Sequence, residues 1–237
     1  MKKWIKVIII GTISLVLLLT GAFFIYVSDY YEADDSAMEV IQRESNVSVQ
    51  DDFIELSPER SSDTALIFYP GAKVEYLAYL PIMEKIKQNG NITCILVEMP
   101  FNMAIFDSDA ADEIMGQFPD IKNWYVGGHS MGGAMASTYA SENQDKITGL
   151  ILLGAYIYGD YPAENTLTVY GTLNTSVAEK IDYTENVIII EDGNHAQFGN
   201  YGKQKGDPDA GISREEQQRI AVESIVEFLE SKDEINQ

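Results

Sequence analysis

Gly128-His129-Ser130-Met131-Gly132 sets a hydroxyl between two glycines, each two residues from it. A serine hydroxyl is a poor nucleophile at neutral pH; it needs a base within hydrogen-bond reach and a group that orients the base. The G-x-S-x-G spacing fits a strand-to-helix turn so sharp that the serine backbone is strained and the flanking positions have no room for side chains. An apolar run at 124–126 precedes the motif and a small-residue, helix-favouring run at 134–140 follows it. That context separates a nucleophile turn from an ordinary glycine-rich one. Such a turn lifts the hydroxyl above the sheet and sets the N–H of Met131 at a helix N-terminus, where an oxyanion can be held.

The chain has two histidines. His129 adjoins the serine, so its side chain points away from Ser130. The candidate base is therefore His195, in Glu191-Asp192-Gly193-Asn194-His195-Ala196-Gln197-Phe198-Gly199. A second oxyanion donor is expected from Pro70-Gly71-Ala72-Lys73, with the Ala72 N–H as candidate.

Elements that could position these groups follow from pattern. Apolar runs at 65–69, 92–99, 124–127, 147–156, 166–170 and 187–190, with a short alternating one at 52–56, read as strands. Helices are expected at 76–88 (Leu77, Leu80, Met83 and Ile86 at helical spacing, Pro81 a blemish), 107–118, 131–142, 177–183 and 213–231. Ser213-Arg214-Glu215-Glu216 opens the last as a capping box. Near-continuous apolar strands alternating with helices imply a mostly parallel sheet covered on both faces. Ligands of such sheets bind at the carboxyl ends of the strands, where Ser130 and His195 both fall. The 156–166 connection is short, which leaves a minimal lid.

Residues 7–27 are apolar or small, enough to cross a bilayer as a helix. Lys2, Lys3 and Lys6 precede the stretch and Asp29 and Glu32 follow it, which places the amino end in the cytoplasm and the rest of the chain outside. A cleaved signal peptide is the competing reading; the stretch is long for one and no A-x-A-like site follows. The expected organisation is anchor or signal at 1–28, stalk or linker at 29–50 and one domain at 51–237. With 16 basic and 37 acidic residues, net −21, the chain repels nucleic acid and disfavours polyanionic substrates. The single cysteine, Cys94, lies in an apolar run and excludes an internal disulfide.

Four blocks resemble alpha/beta hydrolase family 5, a dienelactone-hydrolase-like branch of the α/β-hydrolase superfamily. They are Phe68-Tyr69-Pro70-Gly71-Ala72-Lys73-Val74, Met99-Pro100-Phe101-Asn102, Gly127-Gly128-His129-Ser130-Met131-Gly132-Gly133 and Gly193-Asn194-His195-Ala196-Gln197-Phe198-Gly199-Asn200-Tyr201-Gly202. The resemblance spans about 53–231. It implies an α/β-hydrolase fold with Ser130 as nucleophile and His195 as base, and no metal or organic cofactor.

It departs at the orienting acid. The family pattern puts aspartate where Tyr170-Gly171-Thr172-Leu173-Asn174 ends in an amide. The alternatives are Asn174 in a weakened triad, Asp160 after the 147–156 strand, or neither. Asp182 is expected to face solvent, and Asp192 is too close in sequence to His195 to face it. Phe101, Asn102, Tyr156 and Phe198 are candidate pocket residues. The expected activity is hydrolysis of small carboxylic esters. Alternatives are a binding domain that kept the fold and an acyltransferase using the same residues.

Overall fold

The computed structural model describes residues 3–43 and 46–235, and divides them at Tyr30 into an N-terminal unit and a compact domain beginning at Tyr31. The N-terminal unit is one helix, α1 (Lys3–Ser28), containing an 18-residue stretch with a mean hydropathy of 2.6; by length and composition it is able to cross a membrane.

The domain is built on an eight-stranded sheet. Its strands are β1 (Val47–Val49), β2 (Phe53–Leu56), β3 (Thr64–Tyr69), β4 (Thr93–Val97), β5 (Asn123–His129), β6 (Gly149–Leu153), β7 (Thr166–Gly171) and β8 (Val187–Ile190). They lie in the order β1-β2-β4-β3-β5-β6-β7-β8. Strand β2 alone runs opposite to the rest, antiparallel to both β1 and β4. This is the α/β-hydrolase fold.

Six helices accompany the strands: α2 (Asp35–Arg43), α3 (Leu80–Gly90), α4 (Ala110–Met115), α5 (Met131–Glu142), α6 (Thr175–Ala178) and α7 (Arg214–Ile235). Strand residues alternate between two cores. Leu66 and Phe68 of β3 join Ile82, Met83, Val222 and Ile225 of α3 and α7 on one face. Ala65, Ile67 and Tyr69 join Ala111, Ile114, Ala136 and Ala140 of α4 and α5 on the other. Both faces being covered, β3, β4 and β6 are apolar or small along nearly their whole length.

Several expected elements differ in extent. The 76–88 helix is a 3-10 turn (Tyr76–Tyr79) followed by α3, so Pro81 falls in the first helical turn, where its missing N–H has no intrahelical acceptor to lose. Helix α4 is shorter than 107–118, and α6 begins at Thr175 and stops at Ala178, before the expected 177–183.

Residues 31–50 are not a free stalk. Tyr31 N–H donates to the Lys73 carbonyl and Glu75 N–H to the Tyr31 carbonyl. Ala37 and Val40 of α2 are fully buried, Arg43 pairs with Glu84 of α3, and β1 extends the sheet. An apolar face on a short polar helix is silent in sequence until a partner covers it.

Candidate active site

The register of the central strands brings the functional loops to one edge. Tyr69 lies opposite Gly128, His129 opposite Leu153, and Gly171 opposite Ile190. Ser130 follows β5 with φ 54° and ψ −122°, a region costly for any side-chain-bearing residue. Its N–H donates to the Leu153 carbonyl at 3.0 Å, and its carbonyl accepts from Ala134 N–H of α5 at 3.0 Å, which fix the strained turn from both sides. A Cβ at Gly128 would stand 2.5 Å from the Gly132 carbonyl carbon, and one at Gly132 would stand 2.2 Å from the Tyr69 carbonyl oxygen. The absent side chains let β5, α5 and the loop after β3 converge behind the serine.

His195 follows β8, and its Nε2 lies 2.9 Å from Ser130 Oγ. The Asn174 carboxamide, after β7, lies 2.7 Å from His195 Nδ1, with Nδ2 toward the ring. So oriented, the amide donates to Nδ1 and the imidazole proton sits on Nε2, pointing at the serine. Turning the carboxamide by half a revolution puts Oδ1 in the same place, accepts a proton on Nδ1 and frees Nε2 as a base. The Ser176 hydroxyl, 3.2 Å from the Asn174 oxygen, serves either orientation because it both donates and accepts. Asparagine therefore holds the ring in position without choosing its tautomer, which an aspartate would do.

Asp160 does not take the orienting place. It is exposed and outside the cleft lining, and its carbonyl accepts from the Gln144 side chain at 2.6 Å. Ser137 of α5 exchanges hydrogen bonds with the Tyr158 main chain, which carries the segment after β6 over the outside of α5. Asp182 and Asp192 are likewise exposed.

His129 is buried and points away from Ser130. Its Nε2 lies 2.9 Å from the His195 carbonyl oxygen, which can only accept, so Nε2 carries the proton. Nδ1 therefore accepts from the Tyr79 hydroxyl at 2.7 Å, and that hydroxyl accepts from Gly71 N–H at 3.1 Å. The relay ties the loop after β3 to the main chain of His195. Burial, reinforced by the neighbouring His195, pushes the His129 pKa well below 6.5. Burial also lowers that of His195, while the charge of Asp207 works in the opposite direction. Asp207 accepts from His195 N–H through Oδ1 at 3.1 Å and from Ala196 N–H through Oδ2 at 2.8 Å.

Ser130, His195 and Asn174 line a cleft of about 730 Å³, together with Met131, Tyr156 and Asp207. Of the expected pocket residues, Tyr156 alone lines it. Phe198 is fully buried against the His129 ring, where it packs rather than binds. Phe101 is exposed beside Phe106, and the Asn102 carbonyl accepts from Lys73 N–H at 2.7 Å. Ala72 lies on the loop whose Tyr69 and Pro70 carbonyls approach Gly132, next to Met131, the first residue of α5. Sequence reading missed the 204–208 wall. Its signal, Gly206-Asp207-Pro208, lies beyond the histidine block and looks like an ordinary turn.

Fold and elbow together define a chain of α/β-hydrolase architecture with a strained serine at the sheet edge. The alpha/beta hydrolase family model matches residues 65–219, and the chain belongs to that family. No curated protein matches the sequence. Among solved structures it is similar to a hormone-sensitive lipase from a metagenome library, with a TM-score of 0.56 at 12% identity over 84% of this chain and 92% of the other. The esterase of the archaeon Pyrobaculum calidifontis gives 0.53 at 12% identity, over 83% and 88%. The monoacylglycerol lipase of Paleococcus ferrophilus gives 0.53 at 14%, over 74% and 98%. At such identities the likeness is one of fold.

Proposed function

We propose that the protein is a membrane-anchored serine hydrolase of carboxylic esters, with Ser130 as nucleophile and His195 as base. The observation that carries this reading is the 2.9 Å approach of His195 Nε2 to the hydroxyl of a serine at a strained elbow. In the tautomer with the proton on Nδ1, Nε2 takes the Oγ proton as Oγ bonds to the ester carbonyl carbon. The carbonyl electron pair moves onto oxygen, held by the N–H groups of Met131 and Ala72. Collapse expels the alkoxide, which takes the proton from the imidazolium, and water activated by His195 then releases the acyl group from Ser130.

The lowered pKa of His195 keeps the base neutral through the neutral range. Residues 154–165, between β6 and β7, contain one 3-10 turn at Ala163–Asn165 and no inserted lid, which suits small or accessible esters. Lipases and esterases among the structural neighbours agree with this class of substrate. Helix α1 is retained as the anchor, with the lysines on its cytoplasmic side and the catalytic domain outside.

The amide at 174 favours one rival, a binding domain that kept the fold. Fluorophosphonate labelling and hydrolysis of p-nitrophenyl acetate by the full-length chain in detergent decide between them. Wild type is expected to label and turn over, S130A to do neither, and H195Q to lose several orders of magnitude in kcat, up to about 10⁶-fold. A folded wild type that neither labels nor hydrolyses short esters overturns the hydrolase reading in favour of the binding domain.

A further inference from the structure

With an amide at the end of the β7 loop, no carboxylate among the described residues is bonded to His195 Nδ1. The imidazolium that forms when Ser130 gives up its proton therefore lacks a charged partner on that side. A carboxylate nonetheless stands at the same residue. Asp207 is the one acidic side chain among the described residues that line the cleft, and it is half-buried there. Both its oxygens are engaged by main-chain N–H groups, Oδ1 by that of His195 at 3.1 Å and Oδ2 by that of Ala196 at 2.8 Å. The 204–208 segment that presents it is pinned to the histidine loop a second time, because Asn194 Nδ2 donates to the Pro208 carbonyl at 2.8 Å.

We infer that Asp207 is a positioning residue for the proposed Ser130–His195 chemistry. It holds the base loop by its main chain and supplies, from the backbone side of His195, the negative charge that Asn174 lacks. The inference rests on the hydrolase reading above. A carboxylate that spends both oxygens on adjacent N–H groups of the base residue cannot move away as the reaction proceeds, so its field is in place before charge develops. Half-burial leaves that field less screened than it would be at the surface.

Other charged or titratable groups around His195 do not fill this role. The His129 ring, centred 4.5 Å away, is a neutral donor to the His195 carbonyl. The Tyr79 hydroxyl is committed to His129, and burial raises its pKa. Tyr201, near Asp207, is held neutral by burial and then by Tyr79 and Asp207. Lys180 and Lys205, exposed on the cleft wall, carry the wrong sign and would oppose an imidazolium. Asp207 is the charge that favours it.

The test is the pH dependence of kcat/KM for p-nitrophenyl acetate with the full-length chain in detergent, comparing wild type, D207N, N174D and the double variant. Loss of the Asp207 charge makes protonation of His195 harder. In D207N the acidic limb therefore moves to lower pH by about one unit, kcat falls about tenfold or more, and KM stays within about twofold. N174D also fixes the tautomer, a gain that Asp207 does not replace, so the two backgrounds are compared: with Asp207 present the gain in kcat is smaller by about tenfold, because a negative charge is already there. In the D207N background the same substitution restores kcat and moves the limb back up, so the two sites are coupled.

A merely structural role for Asp207 would lower kcat without moving the limb downward and without rescue by N174D; that outcome overturns the inference. If D207N does not fold, D207S, whose hydroxyl still accepts from one of the two N–H groups, takes its place: a downward shift of the limb that N174D reverses supports Asp207, and an unmoved limb overturns the inference. Failure of the hydrolase reading itself shows separately, as a folded wild type with no turnover or as turnover that survives S130A, and either outcome overturns this inference with it.

Discussion

Protonating His129 would put a charge into a site that is 1% exposed and would take away the acceptor of the Tyr79 hydroxyl. In the unfolded chain the same imidazole takes up a proton near pH 6.5. Its folded pKa is depressed, so below 6.5 the unfolded state binds the extra proton and the native state does not. Stability is then lost as pH falls, by at most about 1.4 kcal/mol per unit from this residue while it stays neutral in the fold. Urea unfolding at pH 6.5 and 5.5 measures the loss, and H129Q, which keeps a donor toward the His195 carbonyl, is expected to flatten it. Equal slopes for wild type and H129Q would contradict the assignment.

At this scale the sequence spoke through side-chain identity and order. With two histidines and one G-x-S-x-G, the pairing of Ser130 with His195 was nearly forced by elimination. Asp207 was silent because its partners are main-chain N–H groups, which leave no residue pattern. Phe198 was expected to line the pocket and lies three residues after His195. Only the tertiary fold reveals that it faces inward onto His129.

Elements set the geometry by being tied to one another, and the tie at the active edge is the chain from Gly71 N–H through Tyr79 Oη to His129 and the His195 carbonyl. It joins the loop after β3, the turn before α3, the end of β5 and the loop after β8. Replacing Tyr79 by phenylalanine keeps the ring packing against Phe68 but strands a buried donor and a buried acceptor together. Each stranded group costs about 1–3 kcal/mol. Y79F is expected to lower stability by about 2–4 kcal/mol in urea unfolding and to lower kcat more than it raises KM, since what loosens is the spacing of the proposed oxyanion donor and the proposed base. Unchanged kcat in a folded Y79F would show that the relay plays no part in turnover.

Strands β3 to β7 were legible because burial on both faces writes an apolar run, whereas β1, three residues at the sheet edge, was lost in the expected stalk. Helices α4 and α6 were not legible, because short one-turn or two-turn helices are fixed by the loops around them and carry too few residues to show a period.

For the whole molecule, the question is where the autonomous domain starts. The family match begins at residue 65 and the expected domain began at 51, yet the fold extends back to Tyr31. Residues 31–50 contribute β1 to the sheet, the buried Ala37 and Val40, the Arg214–Asp34 ion pair at 2.6 Å, and Arg43 against a Glu84 side chain that is 5% exposed. A chain starting at Tyr31 keeps all of these. A chain starting at Asp51 uncovers the α3 face under α2, leaves β2 as a raw edge and strands the Glu84 carboxylate. Leaving the buried Glu84 carboxylate without its half-exposed Arg43 partner costs about 1–3 kcal/mol, and the uncovered apolar face of α3 adds to it. For a domain of this size the two together correspond to a midpoint lower by about 10 °C or more. Thermal unfolding of the 31–237 and 51–237 chains, with α1 absent from both, makes the comparison. The longer chain is expected to unfold cooperatively, and the shorter to melt at least that much lower or to aggregate through the bared edge. Equal midpoints would return 31–50 to the status of a tether.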